Sequence, residues 1–151
     1  DFAGQHVFST ETCRGEEIVN SGLIKAPAGS PVMAYAWEVC RRKNPSELVW
    51  GETGPRLMTE AVGRFSLSHY KQSFRVFCPL EYSEWHKILE PDFEEFGQET
   101  YAVHLWNEMW RSAAQDKNAT YPAACLYERF KREYLGRRGT RTSRRRPDNS
   151  R

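Results

Sequence analysis

The stretch Thr100-Tyr101-Ala102-Val103-His104-Leu105-Trp106-Asn107-Glu108-Met109-Trp110 is the densest aromatic and apolar segment of the chain, and a histidine sits inside it. Tyr, Val, Leu and Trp pack well on a pleated surface, and neither Gly nor Pro interrupts them. Residues 100–106 therefore read as a buried strand. Period-two geometry puts Tyr101, Val103 and Leu105 on one face and Ala102, His104 and Trp106 on the other. His104 then lies near the strand's carboxyl end, where α/β sheets bind ligands, and this makes it a site candidate. The same position also suits a core histidine bonded to a backbone carbonyl, because a lone His is a weak metal-ligand signal.

The flanking segments follow an α/β order. Residues 4–9 form a weak strand, followed by a polar turn carrying Glu11, Arg14, Glu16 and Glu17. A second strand runs from about Gly22 to Ala26, entered through Asn20-Ser21-Gly22. Here the glycine allows close backbone approach, and the Asn20 amide offers both a donor and an acceptor. Ser30 as N-cap and Pro31 at the first helical position open a helix to about Lys43. Its apolar stripe is Val32, Met33, Ala36, Trp37 and Cys40.

Trp50-Gly51-Glu52-Thr53-Gly54-Pro55 enters a second helix at Pro55, with Leu57, Met58, Ala61, Val62 and Phe65 at helical spacing. A helix start preceded by Gly and Thr presents N–H groups suited to an anion or a sugar hydroxyl, and a simple Gly-Pro cap explains it equally well. Phe74–Cys78 reads as a short strand ended by Pro79. Residues 82–89 read as a helical turn, and the chain turns helical again after Trp106. A last helix spans 121–135, with Leu126, Phe130 and Tyr134 inward and a Glu128–Arg132 pair. Asn118-Ala119-Thr120 matches a glycosylation acceptor that matters only in a secreted protein.

A length of 151 residues suits one domain with a real core. The 39 % hydrophobic and 13 % aromatic content is that of a globular protein, and no apolar run approaches a membrane span. The net charge of +2 conceals an uneven distribution: seven of the 22 basic residues fall in 136–151 beside a single acid, Asp148. That leaves 15 basic against 19 acidic residues over 1–135, a net of −4. The tail reads as disordered, either a solvated end or an electrostatic tether to phosphates or anionic lipid. Nucleic acid is disfavoured as a partner, because the body has no basic face with interleaved aromatics. Cys13, Cys40, Cys78 and Cys125 show no CxxC or zinc spacing. They read as small hydrophobes in a reducing compartment, although an even count also permits two disulfides. There is no internal repeat and no Walker or dinucleotide glycine pattern.

Taken together and in order, Asn20-Ser21-Gly22, Trp50-Gly51-Glu52-Thr53-Gly54-Pro55 and Tyr101-Ala102-Val103-His104-Leu105-Trp106 resemble the C-terminal half of the DXD-containing α-glycosyltransferase family. That family includes α-1,4-galactosyl- and N-acetylglucosaminyltransferases and bacterial capsular-polysaccharide enzymes. The resemblance runs from about Val7 to Leu135 and is strengthened by Phe77-Cys78-Pro79, although the family more often has Tyr where Cys78 stands. It implies a GT-A-type α/β fold, a nucleotide-sugar donor, a glycan or glycolipid acceptor, a divalent cation (Mn²⁺ or Mg²⁺) and retention of configuration.

The site roles come from the same resemblance. Asn20 and Gly22 would contact the donor sugar. Glu52 and Thr53 would act beside the anomeric carbon or the acceptor, with Gly54, Pro55 and Trp106 also binding substrate. His104 would join the family's DXD carboxylates on the metal or approach the diphosphate, where a cation assists departure of the leaving group.

One departure is large: Asp1, Asp92, Asp116 and Asp148 lie far apart, so the chain contains no Asp-x-Asp. The expectation is a second half of an enzyme, inactive on its own, lacking the N-terminal segment that carries the motif. A non-catalytic glycan- or partner-binding accessory module is the alternative. A bacterial relationship implies a cytoplasmic location, at most peripheral to the inner membrane; a eukaryotic one implies the Golgi lumen.

Overall fold

The computed structural model describes residues 2 and 4–136. Apart from Gly136, the basic tail and its proposed membrane contact lie outside the described residues. The first layer is a hairpin of β1 (Val7–Cys13) and β2 (Glu16–Lys25). Arg14 and Gly15 close it with φ of 53° and 83°, a two-residue turn whose backbone matches the twist of its strands. Glu11, Glu16 and Glu17, expected in a polar turn, are strand residues. The register jumps from Thr10↔Val19 to Phe8↔Ile24, so Ser9 alone faces Asn20-Ser21-Gly22-Leu23. Ser9 Oγ spans this bulge by donating to the Leu23 carbonyl at 2.9 Å and accepting from the Leu23 N–H at 3.2 Å. At the bulge edge the Val19 N–H donates to Thr59 Oγ1 at 3.0 Å.

Two helices cover one face of the hairpin, as their periodicity predicts: α1 (Pro31–Arg41) and α2 (Pro55–Arg64). Their buried residues meet those of the hairpin in a core of Phe8, Val19, Val32, Ala36, Leu57, Met58, Ala61 and Val62. The α1 stripe is narrower than expected, because Trp37 is 70 % exposed. The Ser30 hydroxyl makes no capping bond and instead lies 3.1 Å from His6 Nε2.

Beyond α2 the chain runs beside β1 through a parallel Phe8↔Lys71 bridge. The Gln72 N–H donates to the Phe8 carbonyl at 2.9 Å, and Thr10 Oγ1 donates to the Gln72 carbonyl at 2.7 Å. Residues 74–78 do not form the expected strand; Phe74–Phe77 is a single helical turn, α3. The Cys78 N–H closes the turn onto the Phe74 carbonyl at 2.8 Å. The pairing with β1 ends at Gln72, and with the Cys78 N–H satisfied inside the turn, tertiary context overrides the β preference of Phe and Val.

The expected central strand at 100–106 is also absent; the segment is extended but unladdered. The N–H groups of Tyr101 and Ala102 converge on the Val76 carbonyl at 2.8 and 3.3 Å, and Thr100 Oγ1 donates to the Arg75 carbonyl at 2.7 Å. Helix-end carbonyls thus take the place of a neighbouring strand. Tyr101 is 71 % exposed, and Trp106 adopts a left-handed φ of 48°, which breaks the alternation.

A second core gathers Leu80, Ile88, Trp110, Cys125, Leu126 and Tyr127. It is held by the 3₁₀ turns of Tyr82–Leu89, by α4 (Asn107–Ser112) and by α5 (Leu126–Phe130), which continues as a π turn over Lys131–Leu135. The last helix starts at Leu126 instead of Tyr121, and Tyr134 is exposed. Glu128 pairs with Lys131 at 2.5 Å; Arg132 donates to the Ala123 carbonyl at 2.8 Å. All four cysteines are free thiols. The predicted α/β order becomes a mixed fold with one two-stranded antiparallel sheet among the described residues. No helix among those residues is long and apolar enough to cross a membrane.

Candidate functional site

A cleft of about 180 Å³ opens where the β2 bulge faces the end of α3 and residues 102–104. Ser9, Asn20, Gly22 and Leu23 supply one wall, and Cys78 and His104 belong to the other. Bulges re-aim side chains, and this one sets Asn20 and Gly22 into the cleft. Asn20 is 5 % exposed; its Oδ1 accepts the Gly22 N–H and its Nδ2 donates to Glu11 Oε2. A Cβ at residue 22 would lie 2.6 Å from Asn20 Oδ1. The Asn-x-Gly spacing is therefore a side-chain-closed turn in which a Cβ at residue 22 would crowd the Asn20 amide.

Glu11 lies beneath Asn20, and Cys78 lies across from it; both are buried. Cys78 Sγ stands 3.9 Å from His104 Nδ1 and 4.0 Å from Asn20 Nδ2. The ligand-capable atoms of Glu11, Cys78 and His104 all fall within 4.8 Å of one another, and His104 is open to solvent. Burial raises the Glu11 carboxyl above its ordinary value, against the opposing pull of the Asn20 hydrogen bond. Burial, with the Glu11 charge adding to it, pushes the Cys78 thiol up to about 12. Desolvation of the cleft-facing imidazole lowers His104. Each shift favours the neutral form of its group.

The structure brings three of the sequence-predicted residues, Asn20, Gly22 and His104, into one cleft. Trp106 backs His104, with ring centroids 4.2 Å apart and its Nε1 donating to the Leu80 carbonyl at 2.8 Å. Gly54 sits beside the bulge, where a Cβ would be 3.5 Å from Ser21 Oγ, and Pro55 is the first residue of α2. Glu52 and Thr53 do not line the cleft. One Glu52 oxygen pairs with Lys43, and the other accepts the Val49 N–H at 3.0 Å. These bonds hold its carboxyl below the usual range and close the loop around Gly51, whose φ is 80°. Thr53 lies exposed in that loop.

Glu11 and Cys78 are not found as site residues from sequence, the first being read in a turn and the second as a small hydrophobe at a strand end, where the family more often has Tyr. Strand alternation through Ser9 and Glu11 is the signal that puts both on the cleft side.

A family model described as the α-1,4-glycosyltransferase conserved region matches residues 42–134, more than half of the chain. The chain belongs to that family. Membership places it among glycosyltransferases, which in general terms take a nucleotide-sugar donor and a glycan acceptor, and the mixed α/β architecture is compatible with such a domain. The region shared with other α-1,4-glycosyltransferases contains Cys78, His104, Trp106 and the Glu52–Pro55 loop; Glu11, Asn20 and Gly22 precede it. No curated protein and no solved structure matches the chain.

Among the described residues, Glu11, Cys78 and His104 could hold a metal ion. Their donor set of one oxygen, one sulfur and one nitrogen is not the oxygen-rich set that Mg²⁺ requires, and its thiol is too soft a ligand for Mn²⁺.

Proposed function

We propose that the chain belongs to a retaining GT-A-type α-glycosyltransferase that moves a sugar from a nucleotide-sugar donor to a glycan or glycolipid acceptor in cell-surface polysaccharide synthesis. The observation that carries this reading is the convergence of Asn20, Gly22 and His104 in one cleft, although 84 residues of sequence separate the first from the last. Gly22 lets the Asn20 amide close over its backbone, and this pair holds the bulge in shape at the wall where the donor sugar would lie. His104, at the open rim, faces the donor's diphosphate. The Glu52-Thr53-Gly54 loop reaches the bulge at Ser21 and bounds the acceptor side, with Pro55 starting the helix behind it. Trp106 keeps the imidazole in place.

Mn²⁺ or Mg²⁺ belongs to this reading through carboxylates of the Asp-x-Asp kind, which the 151 residues lack. The deciding experiment is hydrolysis of a panel of sugar nucleotides by the full-length gene product, with and without Mn²⁺, intact and as His104→Ala. The expected result is metal-dependent turnover that collapses in the variant. Absence of both donor binding and turnover with every metal would sink the transferase reading. The 151 residues assayed alone are expected to be inactive, and turnover by them would remove the need for outside carboxylates.

A further inference from the structure

We infer that Glu11, Cys78 and His104 form a binding site for a thiophilic divalent cation of the Zn²⁺ class. The inference goes beyond the transfer reading and does not depend on it. In a tetrahedral Zn²⁺ site with ordinary Zn–S and Zn–N bonds, sulfur and nitrogen stand about 3.5 Å apart. Cys78 Sγ and His104 Nδ1 are already 3.9 Å apart, and the Glu11 carboxylate completes a triangle whose longest side is within 4.8 Å. A contraction of a few tenths of an ångström along the S–N edge brings that pair onto a common ion.

The outer shell is also built. Asn20 Nδ2 donates to Glu11 Oε2 and fixes the carboxylate; the Asn20 amide is itself tied to the Gly22 N–H. The Trp106 indole, 4.2 Å from the imidazole, sets the plane of His104. Partners of this kind orient ligands and are worth about 10–100-fold in metal affinity. Two ligands are buried and the third is open to the cleft. The fourth coordination position thus faces solvent, the arrangement of a zinc site that keeps a water or an exogenous ligand. One S, one N and one O donor suits Zn²⁺ or Co²⁺ and discriminates against Mg²⁺.

The test uses the full chain, stripped with a chelator and titrated with Co²⁺. We expect one equivalent to bind with a sulfur-to-cobalt charge-transfer band, Zn²⁺ to displace it and excess Mg²⁺ to leave it unchanged. In Cys78→Ser the band should vanish. In His104→Ala, whose side chain is solvent-open and whose fold is checked by circular dichroism, Co²⁺ affinity should fall by about 100-fold or more, beyond what loss of an outer-shell partner produces. The His104→Ala affinity decides the matter alone if Cys78→Ser fails to fold. A band unchanged in Cys78→Ser would place the metal on Cys13, Cys40 or Cys125 and overturn the assignment. So would the absence of a band in the intact chain, displacement by Mg²⁺, or unaltered affinity in His104→Ala. Because these readouts are spectroscopic, they stand apart from donor turnover.

Discussion

The two walls of the cleft come from regions built on different principles. The bulge wall belongs to a regular unit, a hairpin and two helices around an aliphatic core with Phe8 at its centre. The histidine wall belongs to a region of 3₁₀ turns, five- and six-residue helices and an extended segment, organised around Trp110. Trp110 packs against Trp85, Tyr121 and Tyr127 with ring centroids 5.2, 6.0 and 4.7 Å away. Aliphatic side chains fill a core when repeated along regular elements. A few large rings bury comparable area from irregular backbone. The contrast teaches that repetition shapes one wall and side-chain size shapes the other.

That difference can be broken most forcefully at Trp110, which is 1 % exposed. Trp110→Ala should lower unfolding free energy by roughly 3–5 kcal/mol in urea titrations, and should loosen His104 because Trp106 packs against the same cluster. A loss below about 1 kcal/mol, inside the range of ordinary single substitutions, would mean that the aromatic region is not a core in its own right. On the opposite wall, Gly22→Ala drives a methyl to 2.6 Å from Asn20 Oδ1. The Asn20 amide must give way and loosen its bond to residue 22, at about 1–3 kcal/mol, while both helices keep their circular dichroism; unchanged stability together with unchanged donor binding would show that this closure of the bulge is not needed. The smallest effect is expected at Glu52, in the loop beside the bulge. Its folded-state pKa is lowered by Lys43 and by the Val49 N–H. Its stabilisation is therefore present above the unfolded carboxyl value and lost as pH falls through the folded one. Glu52→Gln should be less stable than the intact chain at neutral pH, and the two melting curves should merge in acid. A gap that persists in acid would assign the loss to packing and not to charge.

How much could be read from residues alone follows the same division. Ser30-Pro31 and Gly54-Pro55 mark the starts of α1 and α2 because a proline at the first helical position and apolar residues three and four apart are local signals. Phe74–Phe77 and Tyr101–Trp106 both carry strand-like side chains; the first closes as a turn on its own Phe74 carbonyl, and the second is held by the Arg75 and Val76 carbonyls about 25 residues away, which no window of local pattern contains. His104 is visible because it interrupts an apolar run. Glu11 is hidden by its acidic neighbours, which suggest a turn; once Val7–Cys13 is taken as one strand, alternation with Ser9 points its side chain to the cleft side. Asn20 and Gly22 stand out by their spacing, and the hydrogen bond from the Gly22 N–H to Asn20 Oδ1 gives the reason.

The Arg14-Gly15 turn gives these parts an order in time. A two-residue connection lets β1 and β2 meet within microseconds of emerging, since hairpins close over short loops. The contacts that complete the cleft span 58 residues between Asn20 and Cys78 and a further 26 between Cys78 and His104. During vectorial synthesis the hairpin and the two helices that bury its face are polymerised before the histidine, so the second wall of the cleft is added to a unit that can already close its own core.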